Sequence, residues 1–128
     1  DDAQLQLLPS LWFRNTWSWT KGAPRPSIDA IDPPDGAGWA VVARHPTLGD
    51  YHLYGRRRAE LLFTENDSNA VLLWDDINHS PYVKDAFHRH LVNGEADAVN
   101  PAQTGTKMAA WNRLDVPTGQ RIQLDLLL

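Results

Sequence analysis

The chain has 128 residues, one domain in size, with 42% hydrophobic and 22% charged residues and a formal net charge of −4. That balance belongs to a folded globular chain rather than a disordered one, and the acidic excess argues against a nucleic-acid partner, which would need a basic face. No apolar run approaches the roughly 20 residues that cross a bilayer, so no membrane partner is expected, and the absence of cysteine excludes disulfide and thiolate chemistry.

Residues 4–17 read as one long strand. Leu5, Leu7, Leu11 and Phe13 share one face, while Gln4, Gln6, Ser10, Trp12 and Arg14 share the other. Pro9 points to an edge position or a bulge. Residues 21–38 hold Pro24, Pro26, Pro33 and Pro34 with the turn pair Asp35-Gly36, and read as a long loop. Residues 39–44 and 51–56 form a hairpin, and 60–64 a third short strand. The run 65–69 is a polar turn whose side chains can bond their own backbone.

Residues 70–74 are apolar and fit either a strand or a helical turn. Ser80 suits a helix cap and Pro81 the first helical position, while Val83, Phe87 and Leu91 recur at spacing four. Asn93-Gly94 supplies the stop, so one short α-helix is expected near 81–92. Residues 108–116 and 120–128 read as a closing hairpin around Pro117-Thr118-Gly119. In its second arm Ile122, Leu124, Leu126 and Leu128 alternate with Arg121, Gln123 and Asp125.

Short strands with one helix indicate a mainly β chain, an antiparallel β-sandwich. Residues 1–128 form a single such domain or a fragment of one, because six or seven strands are few for two full sheets. Unpaired edges recruit further chains, so a homo-oligomer is expected. Asp1 and Asp2 are not followed by the apolar stretch of a signal peptide, and a cytoplasmic location is favoured although the cysteine-free composition fits any compartment.

Glu65 and Asp67 are the best-placed carboxylate pair. Glycoside cleavage needs two carboxyl groups roughly 5–10 Å apart across a sugar, and the same residues with Asn66 equally serve to shape a turn. The run lacks the full spacing of a calcium loop. His88 and His90, two apart on a helix, cannot chelate one ion together, and no zincin, nucleotide-binding or nucleophile-elbow pattern occurs. No metal, cofactor or catalytic residue is therefore assigned. Trp12, Trp17 and Trp19, with Arg14 and Asn15 beside them, could form an aromatic platform for an oligosaccharide or could pack in a core or domain interface. Tyr82, Lys84 and Asp85 at the head of the helix suit domain docking at least as well as ligand binding.

Four stretches taken together resemble one family. They are LWFRNTWSW (11–19), LLFTENDSN (61–69), SPYVKDAF (80–87), and DAVNP (97–101) followed by GTK (105–107). They are similar to bacterial glycoside hydrolases related to family 63 and the mannosylglycerate hydrolase-like group. The resemblance implies that this region belongs to an N-terminal β-sandwich preceding an (α/α)6 barrel that carries the catalytic carboxylates. It implies further that the barrel is the chain's principal partner, that the four stretches serve structure and domain docking, and that this segment has no activity alone. A stand-alone carbohydrate-binding module using tryptophans is the alternative.

Overall fold

In the computed structural model all 128 residues, Asp1 to Leu128, are described. The chain is mainly β, with two antiparallel sheets stacked as a sandwich. The first sheet is built on β8 (Lys107–Val116), whose alternating residues face two different layers. On one side of β8 lie β1 (Ala3–Leu7) and β2 (Ser10–Trp12). Both keep the same register, with Ala3 opposite Val116 and Trp12 opposite Lys107. They are one edge strand broken only at Leu8-Pro9, where the Pro9 carbonyl still accepts the Ala110 amide at 2.9 Å. Proline is tolerated there because an edge strand's outward N–H needs no partner. On the other side lies β6 (Glu60–Thr64), opposite residues 107–111.

The second sheet has the order β7-β3-β4-β5-β9. Here β3 is Ser27–Ile31, β4 Trp39–His45, β5 Gly49–Gly55, β7 Thr104–Gly105 and β9 Leu126–Leu127. The inner faces meet through Ile28, Trp39, Val41, Ala43, Phe63, Met108 and Ala110, with Leu11 and Phe13 closing one side. The opposite face of the first sheet presents Leu62 and Ala109, covered by Phe87 and Leu91 of the helix α2 (Ala86–Asn93). The layers are thus sheet, sheet and helix. Phe63, fully buried, packs in the central layer beside the larger Trp39.

β7 and β8 are separated only by Thr106, where the chain passes from one sheet into the other. Such corners require close backbone approach. A Cβ on Gly105 would lie 2.3 Å from the Thr64 carbonyl oxygen, so only glycine fits.

Several expectations change. The 21–38 segment contains β3, because Pro26 and Pro33 flank the ladder rather than enter it and Ile28 is completely buried. The closing hairpin does not form. The 117–119 turn is tied to Asp2, with Thr118 N donating to Oδ1 at 2.8 Å, and the last residues pair with β5 instead of β8. Leu5 and Leu7 are 50% and 46% exposed, since β1 runs alongside the part of β8 that β6 does not flank. Trp17 and Trp19 lie in a 3-10 turn and not on a strand.

Residues 70–74 form a short helix, α1 (Ala70–Trp74), capped by the Asn69 side chain. The second helix starts at Ala86 rather than at Pro81. Its upstream residues are engaged elsewhere, because the carbonyls of Tyr82 and Val83 and the amide of Lys84 bond to the chain leaving β6. Ser80 Oγ accepts the Tyr82 amide in a local turn. Gly94, in the left-handed region, closes the helix as the sequence indicates.

Candidate functional site

The polar turn after β6 is the most densely bonded place in the molecule. As the chain leaves Thr64 it meets the sheet-switching corner at Thr106. Glu65 Oε2 accepts from the Thr106 amide at 3.1 Å and its hydroxyl at 2.6 Å, and the Thr106 hydroxyl oxygen accepts the Asn66 amide at 2.8 Å. Asn66 Nδ2 donates to the Phe13 carbonyl at 2.8 Å. Asn15 Nδ2 donates to Asp67 Oδ1 at 2.5 Å, and Asn15 Oδ1 accepts from the amide and hydroxyl of Ser18. The Asn15 amide therefore ties the 3-10 turn bearing Trp17 and Trp19 to the turn after β6.

Arg25 closes the arrangement. Its Nη2 lies 2.7 Å from Glu65 Oε2 and 3.1 Å from Asp67 Oδ2, and its guanidinium sits 5.4 Å from the Trp17 ring centroid. One nitrogen touching both acids puts the two carboxylate oxygens less than about 6 Å apart. That spacing alone would suit a retaining glycosidase. The guanidinium, however, fills the gap where a sugar would have to lie, and Glu65 Oε2 already accepts three donors. The pair works as a clasp, not as an open acid–base couple.

The other candidate residues fall into two groups. Tyr82, Lys84 and Asp85 reach the clasp mainly through backbone. The Glu65 amide donates to the Tyr82 carbonyl at 3.0 Å and the Lys84 amide to the Asp67 carbonyl at 2.9 Å. Asp85 Oδ2 accepts from Asn69 Nδ2 at 3.0 Å, leaving Oδ1 buried without a partner. Trp12 stands apart on the outer face of β2 at 56% exposed. Trp19 is 67% exposed with the Arg14 guanidinium 5.4 Å from its ring centroid.

Two residues of the site are not among the candidates that the sequence marks out, although Lys107 lies within the GTK stretch. Arg25 is 42 positions from Asp67, and only the folded chain joins them. Lys107, opposite both Trp12 and Thr64, lays its ammonium 4.9 Å from the Phe87 ring centroid and donates to the Lys84 carbonyl at 3.2 Å. Burial, and then the nearby Lys84 charge, hold its pKa below the ordinary lysine value. No three His, Asp or Glu side chains gather in a metal-binding group, and no helix is long and apolar enough to cross a membrane.

No family model and no solved structure matches the chain. Over 148 aligned residues it is 34% identical to "Uncharacterized protein YMR196W" of Saccharomyces cerevisiae, an alignment that takes in 95% of this chain. The chain spans about an eighth of that relative, 13% of its length.

Proposed function

We propose that this β-sandwich is a non-catalytic accessory segment of a larger carbohydrate-processing enzyme akin to the family 63 glycoside hydrolases, supporting a catalytic barrel carried elsewhere. The observation that carries the reading is the clasp. The carboxylate pair that the sequence marks out, Glu65 and Asp67, holds Arg25 in its gap and ties strand ends together. The stretches behind the family resemblance also meet at this point. Asn15 comes from the first, Glu65 and Asp67 from the second, Tyr82 and Lys84 from the third, and Thr106 from the fourth. Their convergence fits residues that hold a scaffold in shape. The match to a small part of a much longer yeast protein also supports a role as one segment among several.

The test is a direct assay of the purified chain on aryl α-glucosides and α-mannosides. No turnover is expected. Turnover abolished by Glu65→Gln, with the fold intact by circular dichroism, would overturn the proposal.

A second reading rests on Trp12 and Trp19, whose exposed indoles have the amphipathic surface that sugar rings pack against. Saturable binding of gluco- or manno-oligosaccharides that disappears in Trp19→Ala would favour a carbohydrate-binding module over a scaffold segment.

A further inference from the structure

Lysine is scarce in this chain, and its three copies sit in unlike surroundings. Lys21 lies in the turn ahead of β3 and Lys84 ahead of α2, both exposed, whereas Lys107 is half-buried where β8 begins. The Lys107 side chain runs in the seam between the first sheet and α2. Its Nζ rests 4.9 Å from the ring centroid of Phe87, a residue that is itself only 9% exposed, so water is kept from one side of the amine. Nζ donates to an uncharged acceptor, the Lys84 carbonyl, at 3.2 Å, and no carboxylate forms an ion pair with it. The Lys84 ammonium lies near enough to repel a second positive charge there.

An ammonium in that seam gives up hydration and gains no counter-charge in contact with it, which favours the free amine. The aromatic face and the carbonyl return part of the lost hydration. The Asp85 carboxylate also pulls toward the charged form, but it is the weakest of three influences. Burial comes first, the Lys84 charge second, and both act against the proton. An apolar neighbour and an adjacent cation are the two devices that make a lysine nucleophilic near neutral pH. Lys107 has both, and Lys21 has no such neighbours among the recorded contacts.

We propose that Lys107 is a modification site, the lysine of this chain that small acyl donors of the acyl phosphate and thioester classes mark first. The Nζ lone pair attacks the acyl carbonyl carbon. The bond from that carbon to the phosphate oxygen or the thioester sulfur breaks, its electron pair leaves with phosphate or thiolate, and the amine proton passes to water. The product is a neutral amide, so acylation relieves both the burial of a charge and the repulsion from Lys84, and the modified chain keeps its fold. The acyl group also enlarges the apolar surface beside Trp12, which stands directly across the ladder from Lys107 and is 56% exposed. The inference is independent of the accessory-segment reading, since it concerns one amine and not what the segment supports.

The test treats the folded chain with limiting acetyl phosphate, then reads each lysine separately by digestion and mass spectrometry. At about pH 7.5 the initial rate at Lys107 should exceed that at Lys21 by at least about threefold. The ratio of the two rates should fall between about pH 7 and about pH 10, because Lys107 approaches full deprotonation first, a trend that mere ease of access does not produce. In about 6 M guanidinium chloride the two rates should converge, since both lysines then share the surroundings of an unfolded chain. A Lys107 rate equal to or below that of Lys21 in the folded chain overturns the inference. So does a ratio that stays flat with pH, or a preference that persists after unfolding.

Discussion

Replacing Arg25 by methionine removes the charge at the centre of the clasp while keeping an apolar stem against Trp17. Two charge-assisted contacts vanish, at 2.7 and 3.1 Å. Fully buried, each would be worth about 1.5–3 kcal/mol. The Arg25 side chain is 42% exposed and the two acids about a fifth exposed, so solvent screening cuts that figure severely. Against this, Glu65 and Asp67 are left facing each other across less than about 6 Å. Like charges at that range repel by roughly 1–3 kcal/mol, depending on how much water reaches them. A net loss of about 2 kcal/mol follows, or about 8 °C in Tm for a domain of this size.

Urea titration followed by tryptophan fluorescence measures the loss. Adding Glu65→Gln to Arg25→Met should recover about half of it, because one of the repelling charges is gone. The double-mutant coupling should come to about 1 kcal/mol. Raising the salt to about 0.5 M should shrink the defect of the single variant. A single variant within about 0.5 kcal/mol of wild type, or a double variant no better than the single, refutes the electrostatic account of the clasp.

Gly105→Ala sets a methyl 2.3 Å from the Thr64 carbonyl oxygen, so it should cost about 3 kcal/mol or leave the chain insoluble, read by thermal melting. Phe63→Ala empties the centre of the main core and should cost about 3–5 kcal/mol in a urea titration. At the end of α2 the Arg89 guanidinium, bonded to Glu95 at 2.6 and 2.8 Å, holds the Glu95 carboxyl below its usual pKa, with Asn93 assisting. A carboxyl with a depressed folded pKa contributes stability above its unfolded value near 4.5 that is lost as pH falls through the folded value. Glu95→Gln should therefore flatten the acid limb of the urea midpoint between pH 5 and pH 3, as a titration of both proteins would reveal. Lys107→Met keeps the stem near Phe87 and removes a charge that burial disfavours, so its urea midpoint at pH 7 should equal or exceed that of wild type.

Hydrophobic period and turn chemistry made much of the fold legible. The β4–β5 hairpin and β6 follow directly from short β-branched and aromatic runs between turn residues, and β6 has the bounds the pattern gives. The stop of α2 at Gly94 is equally plain. The start of that helix was not, because the Ser80-Pro81 signal is local and the carbonyls of Tyr82 and Val83 are claimed by a tertiary contact. β3 was hidden by the prolines on either side, although Ser27–Ile31 has strand composition. The alternation of 122–128 suggested a partner in β8 that the tie between Thr118 and Asp2 steers away. In the site, the run 65–69 stood out as a polar turn. Its real partners did not, since Arg25 and Thr106 lie about 40 residues away on either side.

Residues 104–116 belong to both sheets, with a single residue between the two ladders. Neither sheet can peel off and leave the other standing, because the segment that would have to let go is the central strand of one and an edge strand of the other. The molecule should therefore come apart in a single event. Amides deep in β3 and in β6 should exchange their hydrogens with the same opening free energy, despite sitting in different layers.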